Sequence, residues 1–263
     1  MHRSLAVLAL PLLVACGADH ADVGPAVMAE TDDLAQDFGL SEAALQRLEV
    51  PDVAAAVAAV TAVDVGSCKT RVRDPLLPNV VHVHLDRCPG RFGRHVVSGE
   101  VVVTFSVVAQ TLHAEHVGVG LTIDERPATR HASADITFVE GKRHVVWHGE
   151  KSTTDAKGTL VTRVADHVLD VDTATGCSVM NGTAVVTRAD RVMDVTLSAV
   201  TSCPADATRV QCPTGSIVAV VRGKDATITK TFDGSTTATV VVAKPRGERT
   251  REVLLDCVPR SGG

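Results

Sequence analysis

Residues 80–86 read "VVHVHLD", and they alternate. Val81, Val83 and Leu85 fall on one side of an extended chain while His82, His84 and Asp86 fall on the other, the period of two that marks a half-buried strand. In "GVGLTID" the same period places Val117, Val119, Leu121 and Ile123 on one side, and it returns in "ADITFVE", "VVVTFSVV", "VMDVTLSAV", "IVAVV", "ATITKTF" and "TATVVVA". Turn signals stand between these runs: "EGK" at 140, "DAKG" at 155, "NG" at 181, "RAD" at 188, "GKD" at 223 and "DG" at 233. Short strands joined by tight turns predict an all-β antiparallel meander. A sandwich or closed barrel is its natural outcome, because an open sheet of a dozen strands would leave one apolar face wet.

The chain opens differently. "MHRSLAVLALPLLVACG" has a short start carrying Arg3, an apolar run from residue 5 to 14, and then small residues, which is the grammar of a signal peptide. The run is well short of the ~20 apolar residues of a spanning helix. Leu13, Val14, Ala15 and Cys16 resemble the lipobox of bacterial lipoproteins. That resemblance implies cleavage before Cys16, acylation of its sulfur and amino group, and anchoring of the protein to a membrane by lipid, since two or more acyl chains hold stably where one does not. Gly17 stands where enteric lipoproteins retained at the inner membrane carry aspartate, so the resemblance implies the outer membrane.

With Cys16 assigned to lipid, Cys68, Cys88, Cys177, Cys203, Cys212 and Cys257 remain. An even number in an exported chain reads as three disulfides. Cys68 and Cys88 flank a hairpin with the loop "RDPLLPN" and are expected to pair. Among the other four, Cys177 with Cys203 and Cys212 with Cys257 each bracket one copy of a loose repeat, while Cys203 with Cys212 across a proline-rich loop is the competing pairing. No Cys-x-x-Cys exists to suggest structural zinc.

Boundaries follow from composition. Residues 1–15 form the signal peptide, and residues 16–40, acidic and weakly periodic, the lipidated amino terminus and a solvated tether. A short helical segment is expected over 41–64, with Ser41 as an N-cap and Pro51 where a second helix could begin; the β domain covers 65–263. The net charge of −5 argues against nucleic acid as a partner. With five Phe, one Trp and no Tyr, and with Phe105 and Phe138 at inward positions, little is left for a carbohydrate-stacking platform. The core must be built from small and β-branched side chains.

The repeat consists of "CPGRFGRHVVSGEVVVTF", "CSVMNGTAVVTR" and "CPTGSIVAVVRG", each a cysteine, a small residue with glycine, and a β-branched run. It suggests a repeated hairpin unit. The lipobox, the cysteine-flanked hairpin followed by "SGEVVVTF" and the later "CPTGSIVAVV" resemble, over roughly residues 65–257, uncharacterised lipoproteins of environmental Gram-negative bacteria such as myxobacteria. The resemblance implies a location and a fold class but no activity and no catalytic residue.

Histidine is abundant, at eleven residues. His82, His84 and Asp86 share a strand face at about 7 Å per step, a spacing from which two imidazoles can hold zinc or copper. His113 with His116, and His144 with His148 beside Trp147, are further candidates. The bland reading is a polar sheet face that uses histidine. Enzyme motifs are missing: there is no Gly-x-Ser-x-Gly, no His-Glu-x-x-His and no phosphate loop. "HAEH" at 113–116 lies in strand context, and "DVDTATG" at 170–176 starts like a calcium loop but lacks its later ligands. The sequence thus predicts a non-enzymatic envelope lipoprotein with a structural or binding role and no cofactor. Its alternatives are a β-barrel carrier of an apolar ligand and a histidine-based metal protein or hydrolase.

Overall fold

The computed structural model describes residues 48, 51–62, 68–89, 95–139, 141–155, 157–189, 191–203, 211–255 and 257–258. Cys16, the tether and Ser41 lie outside them. One helix, α1 (Val53–Ala62), precedes thirteen strands: β1 (Lys69–Arg73), β2 (Val80–Pro89), β3 (Val96–Val108), β4 (Thr111–Ile123), β5 (Arg126–Val139), β6 (Lys142–Thr154), β7 (Leu160–Asp172), β8 (Ser178–Arg188), β9 (Arg191–Ser202), β10 (Thr214–Val221), β11 (Ala226–Asp233), β12 (Thr237–Lys244) and β13 (Gly247–Leu254). The strands form one antiparallel sheet in sequence order, each paired with its neighbour in the chain. The meander expected from the alternation is present. It does not close into a barrel, because the order runs from β1 to β13 with no ladder between those two.

Helix α1 starts just after Pro51, where a second helix is expected to begin, and its cap is Asp52. The Ala55 amide donates to Asp52 Oδ1 at 2.6 Å, an N-cap that satisfies one of the free amides of the first turn. Pro51 comes just before it. Ala56, Val57 and Val60 are buried, and the helix packs on β1, β2 and β3. The guanidinium of Arg71 donates to the Val60 carbonyl at 3.1 Å, placing a cation at the helix carboxyl end, where the helix dipole favours it.

One sheet face is buried from β2 to β12, and its side chains form one core: Val81 and Val83, Phe105, Leu112, Ile136, Trp147, Leu169, Met180, Leu197, Ile217 and Val240. Thirteen strands at ~4.8 Å spacing make a sheet roughly 58 Å wide. Burial from β2 to β12 means that this face, the inner one, is covered over most of that width and is open only at the edge strands.

Five of the six turn signals fall at junctions between consecutive strands. At the sixth, "NG" at 181, the chain does not turn: Asn181 and Gly182 lie inside β8, at a register shift against β9. Asn181 Oδ1 accepts the Ala199 amide at 2.8 Å, so its side chain fills the gap in the ladder that the bulge opens. A hairpin turn without a glycine signal joins β3 to β4 instead, at Ala109-Gln110, where both residues take positive φ (47° and 65°).

The alternation also breaks within "GVGLTID". Val117 and Val119 are exposed whereas Leu121 and Ile123 are buried, so the four do not share a face. Gly120 and Leu121 of β4 oppose the single Gly99 of β3, and the extra residue reverses the phase of everything after it. Gly99 sits at φ 116°, and a Cβ there would lie 2.6 Å from the Gly120 carbonyl oxygen. The loose repeat thereby acquires a physical content. Its glycines Gly99, Gly182 and Gly215 mark points in β3, β8 and β10 where the neighbouring backbone leaves no room for a Cβ.

Candidate functional site

The six described cysteines lie in three pairs at disulfide distance: Cys68 with Cys88, Cys177 with Cys203, and Cys212 with Cys257, at Cα separations of 5.1, 4.1 and 5.0 Å. The second and third join the β7–β8 turn to the end of β9, and the start of β10 to the chain after β13. Gln211 and Val258 form a parallel bridge beside the last pair.

The outer face carries most of the described histidines, and each of those meets a carboxylate. His113 meets Asp135 (2.7 Å), His144 meets Asp170 (2.9 Å) and His148 meets Asp166 (2.7 Å) directly across neighbouring strands. His131 meets Glu115 diagonally at 3.0 Å, and His95 meets Asp124 at 2.6 Å. Cross-strand pairs of opposite charge are the sheet's usual way of using a polar face.

His82 and His84 form the densest part of this pattern. Their rings stack at 6.3 Å. His82 Nδ1 lies 2.5 Å from Glu100 and Nε2 lies 2.9 Å from Asp74, while His84 Nδ1 reaches the other Glu100 oxygen at 3.2 Å. The Glu100 hydrogen bond, and then the Asp74 one, hold the His82 pKa above its ordinary value; the His82 hydrogen bond in turn holds Asp74 below the usual carboxylate range. Both ring nitrogens of His82 are engaged by carboxylates, Glu100 at one and Asp74 at the other. Asp86 is exposed farther along the strand, and among the described residues no three His, Cys, Asp or Glu side chains converge on a metal position. His113 and His116 lie on opposite faces, one on the outer face and one buried. His144 and His148 share a face but stand four residues apart, about 13 Å along the strand, with Trp147 between them on the other face.

"DVDTATG" is a strand end and turn: Asp172 Oδ1 accepts the amides of Ala174 and Thr175 at 3.0 and 2.8 Å.

Basic side chains that the apolar alternation does not single out lie on the inner face. Its buried ionisable side chains among the described residues are Arg143, Arg163, Lys230, His116 and His167, with no acid among them. Arg130 of β5 is directly opposite Lys151 of β6, and Lys151 is opposite Arg163 of β7. Arg143 lies over the Phe138 ring and Lys230 over the Phe232 ring, at 5.4 and 5.1 Å. Burial lowers the pKa of both Lys69 and Arg71 on β1. His116 is pushed down to about 3, by burial first and then by Arg130 and His113, and neither of its ring nitrogens has a hydrogen-bond partner. The sequence does carry a signal for these cations, which is a basic residue in the apolar phase of a strand. In "KRHVVWHGEK", Arg143 and Lys151 keep step with Val145 and Trp147.

Comparison with family models, with curated proteins and with solved structures finds no match to this chain.

Proposed function

We propose that the chain is a lipid-anchored protein of the bacterial envelope, held by Cys16, whose β domain acts by binding or as a structural element and not by catalysis. The observation that carries this reading is the cysteine arithmetic. Six of the seven cysteines lie at disulfide distance from one another, and the seventh ends the apolar run at the amino terminus. Three disulfides suit an oxidising compartment outside the cytoplasm, which is where a lipobox would deliver the chain. Gly17 favours the outer membrane. The missing nucleophile, zinc and phosphate-loop motifs support a role without chemistry. An apolar-ligand carrier has less support, because an unclosed sheet supplies no barrel lumen. Fractionation of cells expressing the wild type and Cys16→Ser tests the reading. The wild type is expected in the outer-membrane fraction and the variant in the soluble periplasm; a variant still bound to membrane would overturn the lipid anchor.

A further inference from the structure

We infer that the end of the sheet carrying the β1–β2 and β3–β4 connections is a membrane-contact edge, whose leucines and valines enter the boundary between headgroups and acyl chains of a lipid bilayer. The contact adds to the lipid anchor proposed above and does not depend on it.

In a meander alternate strands end on the same side, so β1, β3, β5 and β13 all run towards one end of the sheet. The four large apolar side chains most exposed among the described residues stand there. Leu76 (87 %) is in the β1–β2 loop, and Leu254 (76 %), Val108 (67 %) and Val139 (64 %) are the last residues of β13, β3 and β5. Charge is missing from the first two tips. "PLLPN" at 75–79 and "VVAQT" at 107–111 contain no ionisable residue, whereas turns at the opposite end carry Asp124-Glu125, Lys157, Lys224-Asp225 and Arg246. Backbone geometry does not force the difference: Ala109-Gln110 (φ 47° and 65°) and Asp124-Glu125 (φ 50° and 66°) make the same turn.

The two leucines are held outward. Asp74 Oδ1 accepts the amides of Leu76 and Leu77, each at 2.8 Å, while Asp74 Oδ2 meets His82 Nε2. The Asp74 amide donates to the Val80 carbonyl and the Val80 amide to the Leu77 carbonyl, both at 3.0 Å, and Pro75 and Pro78 restrict the backbone on either side. A loop fixed in this way keeps its leucines in water, at the full cost of their exposure, until something apolar covers them.

Shape and size point to lipid as the cover. Connections two strands apart lie about 10 Å from each other, so the edge is a row of separate projections. Their apolar surface is on the order of a few hundred Å², against the ~800 Å² per partner of a stable protein interface. A protein would need a socket for each projection, whereas acyl chains fill in around them. Arg73 and Lys142, exposed beside the tips, are placed to meet lipid phosphates.

Vesicles of phosphatidylethanolamine and phosphatidylglycerol in equal parts, mixed with the full mature chain carrying Cys16→Ser, test the edge apart from acylation. An edge of this area holds no more firmly than one acyl chain, which binds reversibly. The contact is therefore read by flotation at high lipid, while the same variant still washes from cell membranes. The Cys16→Ser chain should float with the vesicles. Adding Leu76→Ser/Leu77→Ser should lower its apparent affinity at least ~10-fold with the urea midpoint unchanged, and Leu160→Ser, at the opposite end, should leave the affinity as it was. In Leu76→Trp, lipids brominated on their acyl chains should quench a fluorescence that they leave alone in the parent chain, whose one tryptophan, Trp147, is buried. A Cys16→Ser chain that does not float, or that floats equally with and without the leucines, would overturn the inference and leave the lipid anchor untouched. So would self-association without lipid that Leu76→Ser/Leu77→Ser abolishes, which would make a second copy the occupant.

Discussion

Gly182 makes the place in which His167 lies: a Cβ at position 182 would stand 2.4 Å from His167 Nδ1 and 2.3 Å from the Asp166 carbonyl oxygen. His167 in turn stacks on Trp147 at 5.3 Å, and Trp147 occupies the space above Gly149, where a Cβ would lie 2.0 Å from the ring. Two glycines on β6 and β8 thus seat one aromatic stack. Because the obstacle at 182 includes backbone, no rotamer change relieves it. Gly182→Ala should cost about 1–3 kcal/mol, the usual penalty of overpacking, read as a lowered urea midpoint with the m-value unchanged.

His116 and His82 should shape the pH dependence of stability in opposite senses. The folded-state pKa of His116 is depressed to about 3, so below the ordinary histidine value of ~6.5 the unfolded chain binds a proton that the folded chain refuses, and stability falls as pH drops from there towards the folded value. His116→Leu should flatten that acid limb. It should also match or exceed wild-type stability at neutral pH, because it removes two buried nitrogens that have no partner. An undiminished acid limb in H116L would show that other groups cause it.

The His82 pKa is raised by Glu100 and Asp74, so its contribution is complete below the unfolded value and is lost as pH rises through the folded one. Asp74, held low by His82, contributes above its unfolded pKa and loses that contribution as pH falls through its folded value. His84, which shares Glu100, faces the same carboxylate. His82→Gln should therefore remove a stabilisation present near pH ~6 and absent well above it. Thermal melts of wild type and variant across roughly pH 5.5–9 should converge at the alkaline end; a constant gap would assign the loss to packing instead.

The disulfides should rank by the loops they close. Cys212–Cys257 spans 45 residues, Cys177–Cys203 spans 26 and Cys68–Cys88 spans 20. Chain-entropy arguments give about 4 kcal/mol for the longest and about 3 kcal/mol for the shortest. Paired Cys→Ser variants measured by denaturant unfolding should follow that order, with C212S/C257S the least stable.

The period-two pattern makes the sheet legible in the amino-acid sequence, because a half-buried strand has to alternate. What the pattern does not show comes from single residues that change phase or face. Gly120 inserts one residue and reverses the exposure of Leu121 and Ile123. Asn181-Gly182 has the composition of a hairpin turn but serves a bulge, since its role is set by Ala199 on the next strand. The histidines are legible as a face, but their carboxylates come from neighbouring strands, and no single segment contains both partners. Arg143, Lys151, Arg163 and Lys230 stand in the apolar phase of their strands, where a pattern defined by its apolar members alone leaves them out.

The lipid anchor is tested most directly by the mass of the amino-terminal peptide of protein extracted from the membrane of its own host. The expected chain begins at Cys16, lacks residues 1–15 and carries the added mass of acyl chains on that cysteine. A chain that retains residues 1–15, or one that begins at Cys16 without acyl mass, would contradict the assignment.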